Sequence, residues 1–261
     1  MIPKIIHYCW FGRKPLPELA IKCIASWKKF FPDYEIKEWN EDNFDVNQIP
    51  YTMQAYKCKK YAFVSDFARF WILYNYGGIY FDTDVEVIKP MDDIIAQAPY
   101  MGVEIDLNLS DKKSISNSVN PGLGIAAPKA HYFYKKMIDL YEGLSFDMTK
   151  KDYALKTVTQ YTSEMLLSMG WKPEIGVITK VGDITIFPKF YFNPFSWKDY
   201  RIEGTDVAYS IHHYASSWLT PKQRWINKNK YISLFFWLIH RNPMQNFKGL
   251  IRAIKERKIW N

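Results

Sequence analysis

"SDFARFWILYNYGGIYFDTDV", residues 65–85, is the stretch whose reading decides the fold of this 261-residue chain. From Lys59 to Tyr76 there is neither Gly nor Pro, and Ala62, Phe63, Phe70, Leu73 and Tyr74 recur at helical spacing, so the spacing predicts a helix that Gly77-Gly78 stops. Ile79-Tyr80-Phe81 then reads as a short strand running directly into Asp82-Thr83-Asp84. A helix, a glycine turn and a strand with an acidic end make one unit of an α/β protein.

In open α/β sheets ligands bind beyond the carboxyl ends of the strands, and two acids placed there repel each other unless a cation neutralises them. Hard carboxylate oxygens suit Mg²⁺ or Mn²⁺, which keep coordination positions for phosphate oxygens. Taken alone, the Asp82/Asp84 triplet also fits a solvated turn at a strand end. Asp66 and Arg69 precede it at i and i+3, on one face of an otherwise apolar helix. Charges there are costly unless paired or bound to a ligand, and a plain intrahelical ion pair satisfies that condition too.

Working outward, "PKIIHYCWF" (residues 3–11) suits a buried first strand, 17–30 a helix and 34–39 a second strand. Further strands are expected at 85–89, 99–104, 122–127, 175–181, 184–188 and 207–213, with helices at 129–142 and 152–169. The alternation is that of an α/β protein with a mixed, mostly parallel central sheet. An apolar content of 48% with 18% aromatic residues supports a substantial core, and no internal repeat divides it. "MIPKIIHYCWFG" lacks the charged start and cleavage site of a secretory signal. Three dispersed cysteines, Cys9, Cys23 and Cys58, suggest neither a disulfide framework nor a zinc site, so a cytoplasmic location is expected.

The net charge of +8 is concentrated at one end. Residues 220–261 hold ten of the 35 Lys and Arg but one of the 27 acids, which leaves residues 1–219 near neutrality. "YISLFFWLIH", 231–240, is too short to cross a bilayer. Residues 243–258 space Met244, Phe247, Ile251 and Ile254 along one helical face with Lys248, Arg252, Lys255 and Arg257 elsewhere, the pattern of a basic amphipathic helix. The expected division is therefore a main domain at 1–219 and a basic helical appendage at 220–261. That appendage suits peripheral attachment to an anionic membrane, at the inner face of the cell membrane, or a cap packed on the domain. The near-neutral body and the absence of a recognisable RNA or DNA module argue against nucleic acid as a partner.

Three blocks, "IPKIIHYCWFG", "SDFARFWILYNYGGIYFDTDV" and "IHHYASSWL", resemble in order and content the glycosyltransferases that include bacterial capsular-sugar transferases, yeast Och1-type mannosyltransferases and, more distantly, the clostridial glucosylating toxins. The resemblance implies a GT-A-type α/β fold binding a nucleotide-sugar, with Mn²⁺ or Mg²⁺ bridging the donor diphosphate to the acidic pair. It implies that Trp10 stacks on the nucleotide base, although core packing fits Trp10 as well. It puts Asp66 on ribose or sugar hydroxyls, Arg69 on the donor sugar or behind Asp82, and Tyr80 as the aromatic before the motif. Asp84 would bind the metal directly, and Asp82 would touch sugar or ribose and reach the metal through water. In the toxin relatives an acid, a serine and a tryptophan close over the diphosphate, and here His213, Ser216 and Trp218 take those places. Neutral imidazole is a good Mn²⁺ ligand, and His213 is expected to serve while His212 points into the core. Asn120 matches a donor-sugar contact and also fits a turn before Pro121, whereas Gly122 and Gly124 lack the G-K-S/T of a phosphate loop. Glu104 and Asp106 end an expected strand and could face the acceptor, as surface acids also could.

The expected activity is metal-dependent, retaining transfer of a hexose from a nucleotide-sugar, UDP-galactose or UDP-glucose before GDP-mannose. The acceptor would be a glycan or lipid-linked saccharide, as in capsular or surface polysaccharide synthesis. A metal-dependent phosphohydrolase or nucleotidyltransferase, or a basic-tail nucleic-acid binder, are the readings from other classes.

Overall fold

A computed structural model describes residues 1–106, 117–147, 155–196, 201–202 and 206–215, all within the compact unit Met1–Ala215. The expected boundary at 219/220, the basic segment 220–261 and the residues Ser216 and Trp218 lie outside the described residues.

In chain order the elements are β1 (Ile5–Cys9), α1 (Glu18–Phe30), β2 (Glu35–Trp39), α2 (Pro50–Lys57), α3 (Tyr61–Tyr76), β3 (Gly78–Tyr80) and β4 (Val85–Val87). There follow α4 (Asp92–Ile95), β5 (Tyr100–Asp106), β6 (Asn117–Val119), β7 (Ile125–Ala127), α5 (Tyr132–Glu142) and α6 (Val158–Ser168). The last are β8 (Thr179–Val181), β9 (Ile184–Phe187), β10 (Phe195–Ser196), β11 (Arg201–Ile202) and β12 (Ser210–His212). The central sheet has the order β2-β1-β3-β7-β5-β9-β8, with β6 beside β5. β1 is parallel to β2 and β3, and β5 to β9, while β7 and β8 run against their neighbours. The expected α/β sheet, mixed with most strands in one direction, is the sheet observed.

Strand alternation sorts the two cores. Ile6, Tyr8, Ile79 and Phe81 face a cluster built around Trp27 of α1, whereas Cys9 and Tyr80 face the opposite cluster, which holds Phe63, Phe67 and Phe70 of α3 and Tyr141 of α5. Tyr80 and, two residues on, Asp82 are thereby turned toward the helix that carries Asp66 and Arg69.

Several expected elements are trimmed for local reasons. The strand expected at 122–127 survives only as β7, because Asn120 accepts from Gly122 N at 2.7 Å and starts a 3₁₀ turn at Pro121–Leu123. Helix α2 has no sequence-level counterpart, since eight residues opening on Pro50 are too few to display a period. The double glycine does what its position demands. Gly77 and Gly78 have φ of 66° and 100°, and a Cβ on either would come within 2.7 Å of Lys129 N or 2.6 Å of Ile5 O.

His7 ties this turn to the sheet. Its Nε2–H donates to Gly77 O at 2.9 Å and its Nδ1 accepts from the Trp39 indole at 3.1 Å, so the neutral ring is fully satisfied. Burial lowers its pKa from 6.5 to about 4. Between those values the unfolded chain binds the proton and the folded one does not, so this contribution to stability is lost as pH falls through that window. From pH 7 to pH 5 it amounts to roughly 2 kcal/mol. Urea unfolding should therefore show the stability gap between the protein and His7→Gln closing by that amount over this range; a gap independent of pH would contradict it.

Candidate metal and donor site

The site begins with a buried cation. Arg69, 3% exposed, holds Asp66 Oδ1 at 3.0 Å and Asp82 Oδ1 at 3.3 Å through Nη2, while its Nε donates to Ser65 O at 3.1 Å. Its guanidinium lies over the Tyr80 ring at 5.1 Å, and the Tyr80 hydroxyl donates to the same Asp82 oxygen at 3.1 Å. Tyr80 is itself buried, so it reaches the site through Asp82. Burial opposes the charge on Arg69, but Asp82, Tyr80 and Asp66 outweigh it and hold its pKa above the ordinary value. Burial raises the Asp66 carboxyl to about 7 despite Arg69 beside it.

The second acid is held from the other end of the chain. β12 pairs antiparallel with β4, which sets His212 opposite Val85 and Ile211 opposite Glu86. His212 Nε2 sits 3.1 Å from Asp84 Oδ1, and Ala215 N–H donates to Asp84 Oδ2 at 2.8 Å. Burial works against ionisation of Asp84, yet the His212 charge and these hydrogen bonds bring its pKa down to about 2. Burial likewise disfavours the His212 cation, and Asp84 outweighs it, lifting the ring to about 8.

This register corrects one expectation. The histidine beside the acidic pair is His212, because strand alternation turns His213 to the face of Ile211 and Glu86, where its Nε2 meets Glu86 at 2.8 Å. Only the β4 pairing tells the faces apart, and no signal within "IHHYASSW" supplies it.

Asp82, Asp84 and His212 each offer a ligand atom within 4.8 Å of the others. Two carboxylates and an imidazole that gives up its proton to the incoming ion are a donor set for Mn²⁺ or Mg²⁺. The residues present therefore fit a divalent ion.

Other sequence-derived candidates surround this group. Asn120 donates through Nδ2 to Glu104 Oε1 at 3.0 Å, so these two are brought together. Glu104 also bonds the Tyr214 hydroxyl, which puts it beside the metal-capable group. The side chain of Asp106 lies outside the described set. Trp10, just past the carboxyl end of β1, donates its indole N–H to Lys14 O at 2.6 Å and lines a cleft of about 320 Å³ with Arg13, Lys14, Glu38, Asn40 and Asp42. Because β2, β1 and β3 are adjacent and parallel, this cleft and Asp82 lie at the same edge of the sheet.

Residues 17–101 match the family described as "Glycosyltransferase sugar-binding region containing DXD motif". The resemblance drawn from the sequence holds. That region includes Asp82-Thr83-Asp84, which follows the helix bearing Asp66 and Arg69. Inositol phosphoceramide mannosyltransferase 3 of Schizosaccharomyces pombe is 28% identical over 174 residues, 65% of this chain and 45% of that protein. The chain thus spans about half the length of this relative. An uncharacterized glycosyltransferase, L373, of Acanthamoeba polyphaga mimivirus is 27% identical over 84% of both chains. Among solved structures, the PaToxG glycosyltransferase aligns with a TM-score of 0.48 at 21% identity, covering 64% of this chain and 69% of that one.

Gly122 belongs to the site although nothing in its immediate sequence marks it. Asp82 N–H donates to Gly122 O at 3.1 Å, and a Cβ on Gly122 would overlap Asp82 Oδ2. Gly122→Ala should displace that carboxylate and weaken Mn²⁺ binding at least about tenfold while the protein stays folded. Unchanged affinity in a manganese titration would show that Asp82 does not need its present position.

Proposed function

We propose that the chain is a metal-dependent glycosyltransferase that moves a hexose from a nucleotide-sugar, with retention of configuration, to a glycan or lipid-linked acceptor. The observation that carries this is the convergence of Asp82 and Asp84, which lie in the segment matching the sugar-binding family, with His212 of β12, next to the buried Arg69. A divalent ion held there would neutralise charge developing on the departing diphosphate. The chain's own work is orientation. Arg69 fixes Asp82, Ala215 fixes Asp84, and Asp66 and Asn120 offer polar atoms for sugar or ribose hydroxyls. The Trp10 cleft, at the same sheet edge, suits a nucleotide base stacked on the indole. Front-face attack by the acceptor hydroxyl is the mechanism that asks for no protein nucleophile.

The relatives named as mannosyltransferases favour a mannosyl donor such as GDP-mannose over the UDP-hexose that the sequence reading placed first. The name inositol phosphoceramide, carried by three of them, favours a lipid-borne acceptor, which the basic segment 220–261 would help to approach at a membrane surface.

Thermal shifts with a panel of nucleotide-sugars and Mn²⁺ test the donor. GDP-mannose should stabilise most, by about 2.7 kcal/mol at a hundredfold excess over Kd, and an equal response to UDP-hexoses would reverse the assignment. Asp84→Ala and EDTA should each remove transfer; near-normal turnover in EDTA would contradict the proposal.

A further inference from the structure

Tyr214 stands out in the turn that follows β12. It takes a left-handed backbone with φ of 48°, a conformation that bulky L-residues rarely adopt. A non-glycine residue keeps such a conformation only where its surroundings over-determine it. Here they do. Its hydroxyl is bonded by Glu104 and receives the Asn193 amide, and Asn193 is fully buried and also donates to Glu104 O at 3.1 Å. Its ring meets His212 edge-on, with centroids 4.3 Å apart.

The bend has two consequences at the acidic pair. His213 N–H donates to Asp84 O at 3.0 Å just before the bend, and Ala215 N–H donates to Asp84 Oδ2 at 2.8 Å just after it, so the chain wraps both ends of one aspartate. The Tyr214 ring meanwhile forms a wall against His212, whose Nδ1 is buried and has no partner among the described residues. Among the described residues, packing against Tyr214 is what fixes the orientation of that imidazole.

We infer that Tyr214, anchored through its hydroxyl by Glu104 and Asn193, is a positioning residue that sets Asp84 and His212 for a divalent cation. The inference rests on the metal reading given above and adds to it the residues that build the site from the side of β5. Glu104 acquires a role at the same time, since its carboxylate links Asn120 to Tyr214 and so couples the two loops that border the acidic pair.

Tyr214→Phe keeps the ring and removes only the anchor, and Asn193→Ala removes the buried partner. Each should weaken Mn²⁺ binding roughly tenfold in an EPR titration of the full-length protein, the scale of lost outer-sphere support. In the metal-free protein, the Ala215 amide should exchange with solvent faster by a similar factor. A merely structural role would lower the melting temperature without touching either readout. Parent-like Mn²⁺ affinity and parent-like Ala215 exchange in a folded Tyr214→Phe would overturn the inference and leave the metal site standing. A parent protein that binds no Mn²⁺ would overturn both together.

Discussion

A buried guanidinium is the constraint on which the rest of the site depends. Arg69 lies almost wholly out of water, between Asp66 on its own helix and Asp82 at the end of the neighbouring strand. Removing both acids would leave an uncompensated cation in a low-dielectric interior, a loss that is commonly several kcal/mol. Helix α3 and strand β3 are thereby locked in one register. Gly77 and Gly78 make the tight turn that lets them meet, and His7 closes it from the sheet side. Because Arg69 and the Tyr80 hydroxyl both take Asp82 Oδ1, the other oxygen is the one left toward Gly122 and the metal-capable group.

The second acid is fixed by a different logic. Asp84 owes nothing to α3 and is gripped by residues more than a hundred positions away, through β12 and the turn beyond it. The site is thus assembled from a local half, residues 65–84, and a distant half, residues 210–215. Its donor set is complete only when β12 docks on β4. A strained residue at the far end of β12 is in keeping with such an arrangement, since the strain is held by the same contacts that orient the ligands.

How much was legible in the sequence follows that division. The helix, the glycine stop, the strand and the acidic pair are encoded within 21 residues by spacing alone, and the pairing of Asp66 with Arg69 follows from helical geometry. Asp82 and Asp84 were legible for the same reason, because they follow a locally encoded strand, and Asn120 was legible as the residue that turns the chain before Pro121. The choice between His212 and His213 was not, since adjacent residues on a strand differ only in face, and the face is set by pairing with β4. Gly122, Asn193 and Tyr214 were invisible for a related reason. Their importance lies in contacts with Asp82 and Glu104 across the fold, not in any pattern of their own neighbours.

The central claim is that Asp82, Asp84 and His212 form one divalent-cation site. It is tested most directly by electron spin-echo modulation of Mn²⁺ bound to protein carrying ¹⁵N-labelled histidine. The account predicts coupling to a single histidine nitrogen, lost in His212→Ala and kept in His213→Ala. Coupling that survives His212→Ala, or disappears with His213→Ala alone, would contradict it.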